Sequence, residues 1–507
     1  MKKILVSLFC ISTLLSSCDL ETRPAGVLDD ETAIISVADC ESYRNGFYTN
    51  LRALTGGAYI AYPALQMDEF FGTIINGNRH GALSNGVILS SDSDFESIWA
   101  GCYSAIVSVN FFLEKVDAIY NLPTTTDAEK QELDRFIGEA KFARAYYYYY
   151  LVDHFCDSYT NINPTDAATG VPIREDFNPT PDTSTYPGRA TLAETFAYME
   201  KQVQEAYDAM VEWEKVDASD LKAQAIYLNT NVVKAFQCRL ALLKGDYEAT
   251  KRLATEIINS GLYTITPRAA YATMWSNDMG SELIFVPFSS SSESCPSTGS
   301  IFTSADVTQA DYIPTPYVVE HLYASNDIRK STFISARSLR HESVFYNSPV
   351  FVKFPGNTSI GTAVAMKNRP KPFRLSEVYL NLAEACYELD DKEGANNALY
   401  ELRSKRISRM SPGDVDYSGE TLRDEIRLER QRELIGEGFR MSDLRRWKLG
   451  FSRGDASYGA PYAEAADMVV KNGIISYQAG DHRFVWPIPS SEIQINPQMR
   501  GQQNPGY

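Results

Sequence analysis

From Ser93 onward the chain falls into helical periodicity. Phe95, Ile98, Cys102, Ile106, Val109, Leu113 and Val116 recur at spacings of three and four, which lays them along one face of a long helix. The stretch "LPTTTDAEKQEL" interrupts it: Pro123 stops the first helix, and Thr126 or Asp127 can cap a second, predicted over about 127–155. A loop rich in Pro and Thr follows, and a third helix is predicted from about Thr191 to Trp213.

Two later segments share one design. "VVKAFQCRLALLKGDYEATKRLATEI" sets Val233, Phe236, Leu240 and Leu243 on one stripe, turns at Gly245-Asp246, then sets Ala249, Leu253 and Ile257 on a second. "VYLNLAEACYELDDKEGANNALYELR" repeats this with Tyr379, Leu382, Cys386 and Leu389, a turn at Asp390-Asp391, then Ala395 and Leu399, at a constant offset of 146 residues. Two amphipathic helices joined by a short turn, with a small residue early in the second, form the tetratricopeptide pattern. One such pair cannot bury its own apolar face, so several must stack. The fold class is therefore mainly α, a scaffold of helical pairs expected near 93–155, 191–257, 374–408 and 420–449.

Other stretches break the period. Residues 19–40 read as an extended leader. Residues 41–92 ("GGAYIAYPALQMDEFFGTIINGNRHGALSNG") and 260–372 ("SELIFVPFSSSS", "ESVFYNSPVFVKFPGN") read as loops and short strands rich in Gly, Asn, Pro and aromatics. Irregular aromatic inserts on a helical scaffold are where binding is expected. The run Tyr146 to Tyr150 is different. Consecutive helical residues point about 100° apart, so five tyrosines cannot form one flat platform, and packing is predicted.

Composition narrows the function. Of 507 residues, 48 are Lys or Arg and 65 are Asp or Glu, a formal charge of −17; with no basic run, nucleic acid is excluded as a partner. Lys2 and Lys3, an apolar stretch from Ile4 to Leu15 and "LSSC" ending at Cys18 read as a signal segment over residues 1–17. Its apolar run is shorter than the ~20 residues a membrane-spanning helix needs. Cleavage there removes two lysines and no acid, leaving −17 − 2 = −19. Beyond Cys10 and Cys18, six cysteines remain at wide spacings that form no metal motif; Cys102, Cys238 and Cys386 fall on apolar stripes and read as small buried hydrophobes. The five histidines are scattered, with no H-E-x-x-H, no G-x-S-x-G and no phosphate-binding glycine loop, so neither an enzyme nor a cofactor is expected.

Near the C-terminus, "LRDEIRLERQRELIGEGFRMSDLRRWKLG" predicts a charged helix, a break at Gly436 and Gly438, and a second short helix. The arginines and glutamates form a solvated or paired face. The Pro-rich tail "FVWPIPSSEIQINPQMRGQQNPGY" is expected to dock as a strap. These two stretches, with the lipobox-like "LSSC", "IGEAKFARAYYYYYLV", "ALLKGDYEATKRLATEIINSGLYTI" and "FRLSEVYLNLAEACYEL", resemble the SusD/RagB family of nutrient-binding outer-membrane lipoproteins, in the family's order and over nearly all of residues 18–507.

The resemblance implies a single SusD-like domain lipidated at Cys18 and anchored in the outer membrane, facing the cell exterior. It implies capture of an oligo- or polysaccharide without catalysis and delivery to a TonB-dependent outer-membrane transporter; the alternative is the same scaffold and partner capturing peptides or another nutrient. Sugars are held by aromatic faces and oriented by carboxylate, amide and guanidinium hydrogen bonds. The first insert offers Tyr59, Tyr62, Asp68, Asn76 and Arg79, with the alternative that Asp and Asn merely satisfy loop backbone. Trp99 lies beside that insert, where packing is its other reading. The middle insert adds Tyr271 and Tyr312.

Overall fold

A computed structural model describes residues 33–75, 79–290, 292–293, 295–473 and 475–507. The chain is mainly α, as the periodicity predicts, and helices begin earlier than Ser93. Helix α1 (Val37–Leu54) starts where the Ser36 hydroxyl accepts a hydrogen bond from the Asp39 amide, and α2 (Ala58–Gln66) follows with Pro63 inside it. This corrects the irregular reading of the first insert. Cys40, Arg44, Phe47, Leu51 and Leu54 make a buried stripe at spacings of four, three, four and three, but an arginine in the stripe hides the pattern. Arg44 is tolerated there because its guanidinium forks onto Glu139, with Nη2 2.7 Å from Oε1.

The stack then runs through α3 (Ser93–Tyr120), α4 (Asp127–Phe155), α5 (Leu192–Glu214), α6 (Thr230–Lys244) and α7 (Tyr247–Asn259). Residues 191–257 thus hold three helices rather than one pair. After α8 (Tyr271–Asn277) come α9 (Leu375–Glu388), α10 (Lys392–Arg403), α11 (Gly419–Leu434) and α12 (Arg440–Arg446). Caps explain the boundaries. Thr126 with Glu129 and Thr191 with Glu194 form capping boxes, and Asp246 and Asp391 accept from the amides of Ala249 and Gly394. Gly245, at φ 79°, supplies the left-handed residue that lets the chain reverse between α6 and α7. Helix α4 packs on α1, α3 and α5; α6 bridges α5 and α7; and α9 joins α7 to α10 and α11.

The five tyrosines are all buried, and their directions differ as helical geometry requires. Tyr147 donates to the Phe47 carbonyl of α1 (3.3 Å), and Tyr150 to the Tyr59 carbonyl of α2 (2.7 Å). Tyr148 meets the Tyr198 ring of α5, while Tyr146 and Tyr149 pack on Phe236 of α6. The six cysteines beyond Cys18 are free and buried.

Short antiparallel pairs tie the inserts together: β1 (Phe70–Gly72) with β3 (Tyr312–Pro314), β2 (Leu283–Phe285) with β6 (Phe373–Arg374), β4 (Ile334–His341) with β5 (Val344–Phe351), and β7 (Phe451–Ser452) with β8 (Ser476–Tyr477). The charged face of α11 is paired and buried rather than solvated. Glu433 takes Arg374 (2.8 Å), Arg329 and Arg406 (both 3.1 Å), while Glu429 takes Arg329 (2.7 Å) and Arg403 (2.8 Å). The tail reaches further than a surface strap: Trp486 is fully buried, donating Nε1–H to Gln66 (2.8 Å), and Asn504 donates to the Phe155 and Trp486 carbonyls.

Candidate functional site

The β1–β3 pairing brings the two inserts into contact, with Gly72 opposite Tyr312. Tyr312 is fully buried, and its hydroxyl donates to the Arg79 carbonyl, which fixes the chain there. Asp311, 2% exposed, then seats the Arg79 guanidinium: Nε lies 2.6 Å from Oδ2, while the Arg79 side chain stays 56% exposed. Nη2 also lies on Asp311 and donates to the Ser300 carbonyl (3.2 Å), so a buried carboxylate under an exposed guanidinium aims the cation outward with Nη1 left for a ligand.

Beside it, His80 sits in the left-handed region at φ 54°. Its Nδ1 is 2.9 Å from Asp94 Oδ2, and its ring lies 4.7 Å from the Tyr62 ring. The Tyr62 hydroxyl donates to Asp94 Oδ1 at 3.3 Å. The hydrogen bond from His80, and then its charge, hold the Asp94 carboxyl below its ordinary range, against the opposing effect of burial. His80 and Asp94 remain about one-third exposed. The same stretch carries exposed Ile74, Val87 and Leu89. The result is a ledge offering a guanidinium, an imidazole and a carboxylate, in a stretch that also carries aliphatic surface, while the buried Tyr62 phenol holds the imidazole and the carboxylate in place. Such a set orients hydroxyl-bearing ligands through hydrogen bonds. Among the described residues no group of three His, Cys, Asp or Glu is placed to hold a metal ion.

Of the sequence candidates, Tyr62, Arg79 and Tyr312 come together here, the two tyrosines as buried supports. Asn76 lies outside the described residues. The others are elsewhere. Asp68 grips Arg440 of α12 in a two-pronged pair (2.8 and 2.6 Å), so its carboxylate bolts that helix to the insert. Trp99 is buried between Tyr103 and Phe155, because helical spacing turns it into the core. Tyr271 is fully buried, donating to Glu433 (3.2 Å) beneath the Arg406 guanidinium, 4.0 Å from its ring. Tyr59 lines a narrow cleft of about 60 Å³ with Tyr150, Trp275, Arg239 and Lys371. His80, Asp94 and Asp311 escaped the sequence reading. The adjacency of His80 to Arg79 and of Asp311 to Tyr312 was the available signal.

Residues 307–507 match the model of the SusD family, and residues 44–227 match the family model described as "Starch-binding associating with outer membrane". No curated protein matches the chain. A SusD superfamily protein of Bacteroides thetaiotaomicron is similar at 25% identity and TM-score 0.76, over 93% of this chain and 100% of the other. A SusD-like carbohydrate-binding protein of Bacteroides vulgatus is similar at 16% identity and TM-score 0.70 (92% and 98%). A laminarin-binding SusD-like protein is similar at 18% identity and TM-score 0.66 (93% and 99%); these last two bear on the fold alone. With two SusD family models matching residues 44–227 and 307–507 and a fold shared along nearly the whole length with a solved SusD protein, the chain belongs to the SusD/RagB family.

Proposed function

We propose that this protein captures a nutrient glycan on the Arg79 ledge, without cutting it, and delivers it to a TonB-dependent outer-membrane transporter. The observation that carries the reading is the outward-held guanidinium of Arg79 on buried Asp311, next to the Tyr62–His80–Asp94 group. Fixed donors and acceptors at the surface are what a hydroxyl-rich chain needs, and an open ledge admits an internal stretch of polymer where a closed pocket admits only an end. The family model described as "Starch-binding associating with outer membrane", matched by residues 44–227, supports the ligand class. The signal-like residues 1–17 and the lipobox-like Cys18 support a lipid anchor facing the cell exterior; both lie outside the described residues.

The test is calorimetric titration of residues 19–507 with a panel of soluble polysaccharides, oligosaccharides and short peptides, followed by chromatography of the ligand. Saturable heat with a glycan and unchanged ligand supports capture. Heat with peptides alone, or shortened glycan afterwards, overturns it.

A further inference from the structure

A second cavity, of about 450 Å³, opens far along the chain from the ledge residues. It lies where the chain leaves α4 (Asp157, Asn161), where α12 ends (Arg445, Lys448), and against the tail segment 479–485. That volume is in the range of small-ligand pockets.

Two of its lining side chains have hydrogen-bonding atoms that the protein leaves without partners. Asn161 donates Nδ2–H to the Arg445 carbonyl at 2.7 Å, which fixes the orientation of its amide and leaves Oδ1 buried and unpaired. Arg445 is 6% exposed; it spends Nη1–H on the Phe484 carbonyl (2.9 Å) and Nη2–H on the Asp153 carbonyl (2.8 Å), and its Nε–H has no acceptor. The Asn161 acceptor and the Arg445 donor, both buried, belong to two side chains that line this cavity, and each is costly unless something pairs with it.

Charge selects among ligands. Arg445 is balanced by Asp153 at 3.4 Å, and Asp481 by Arg483 at 2.6 Å. That leaves the Lys448 ammonium and the Asp157 carboxylate, one of each sign and with no ion pair between described residues for either, so the lining has no net charge to attract an anion or a cation. Phe484, Val485, Ala479 and Pro505 provide apolar wall. A rigid molecule with hydroxyls that both donate and accept, with C–H faces and without charge, fits all of these features.

We propose that this cavity is a second carbohydrate site, taking a neutral sugar of one or two rings. It stands independently of the ledge, since it shares none of the ledge's residues.

The test uses residues 19–507 and saturation-transfer NMR with glucose, galactose, mannose, xylose, N-acetylglucosamine, maltose, cellobiose and laminaribiose, with galacturonate and diglycine as charged probes. Dissociation constants come from titration of wild type, Asn161→Ala, Ala479→Trp and Arg79→Ala. Ala479 is an exposed lining position, so its tryptophan fills the cavity without entering the core, and an unchanged melting temperature verifies that. Expected is saturable binding of at least one neutral sugar, weakened tenfold or more by Ala479→Trp and by Asn161→Ala and within twofold of wild type in Arg79→Ala. The proposal falls if no neutral sugar saturates, if a charged probe binds tenfold more tightly than every neutral one, or if Arg79→Ala abolishes binding that Ala479→Trp leaves intact. Loss of ledge binding elsewhere would leave this result unaffected, so the two readings fail separately.

Discussion

Glu69 is a buried acid placed where acids are costly. It precedes β1, is 1% exposed, and its Oε2 accepts one hydrogen bond, from the Gly436 amide at 3.2 Å. Burial first, and then the neighbouring charge of Asp68, push its carboxyl from the ordinary 4.5 up to about 8, against smaller opposing pulls from Arg440 and Lys353. The unfolded chain gives up this proton near 4.5 and the folded chain keeps it to about 8. Between those values the folded state binds more protons, so stability falls as pH rises through the window and the penalty is complete above it. At ~1.4 kcal/mol per tenfold, the gap corresponds to ~5 kcal/mol. Glu69→Gln keeps the shape and the acceptor for Gly436 and removes the titration. The unfolding entropy of ~2.1 cal/mol/K per residue sums to about 1 kcal/mol/K for a chain this long, so each kcal/mol moves Tm by ~1 °C. Thermal melts of both proteins from pH 4 to pH 9 should coincide at the acid end, with the variant ahead by ~3–5 °C at pH 9. A Tm difference independent of pH, or a variant less stable at pH 9, would refute the reasoning.

Arg453 is buried without a carboxylate, its fork held by the carbonyls of Leu65, Met67, Ser84 and Gly473, and burial lowers it to about 10. Arg453→Leu should cost on the order of 4 kcal/mol by leaving carbonyls unpaired, and hydrogen exchange should quicken over 65–86; full rescue by Arg453→Lys would argue against the fork. Glu433→Gln takes one charge from three buried guanidiniums and should cost ~3–5 kcal/mol in denaturant melts. Those guanidiniums hold the Glu433 carboxyl well below its ordinary value, so its stabilising effect is present above 4.5 and is lost as pH falls through the depressed value; the wild-type advantage over Glu433→Gln should therefore shrink in acid. Asp391→Ala removes the α10 cap (2.9 Å to the Gly394 amide) and should cost ~1 kcal/mol; no change in Tm would show that the cap is dispensable.

The helical scaffold was legible because its periodicity is uninterrupted: the stripes of α3, α6 and α9 and the Asp-led turns before α7 and α10 are local signals. Helix α1 was not, since Arg44 occupies a core position and the carboxylate that neutralises it, Glu139, is distant in sequence. The fate of the aromatics was likewise a tertiary matter. Tyr62, Trp99, Tyr271 and Tyr312 look alike in sequence and all are buried; only the pairing of β1 with β3, the Asp94–His80 contacts and the arginine network around Glu433 decide which of them stand beneath the ledge and which belong to the core. Arg79 was legible as a candidate, whereas its seat on Asp311 depends on two segments 232 residues apart.

The central claim is tested most directly by titrating wild type and Arg79→Ala with the glycan that the panel identifies. Removing the guanidinium from the buried Asp311 carboxylate should cost ~3 kcal/mol and lower Tm by ~3 °C, which leaves the protein folded at the temperature of the titration. Expected is a dissociation constant raised at least tenfold, a loss of ~1.4 kcal/mol or more. Unchanged affinity in Arg79→Ala would contradict glycan capture at this ledge.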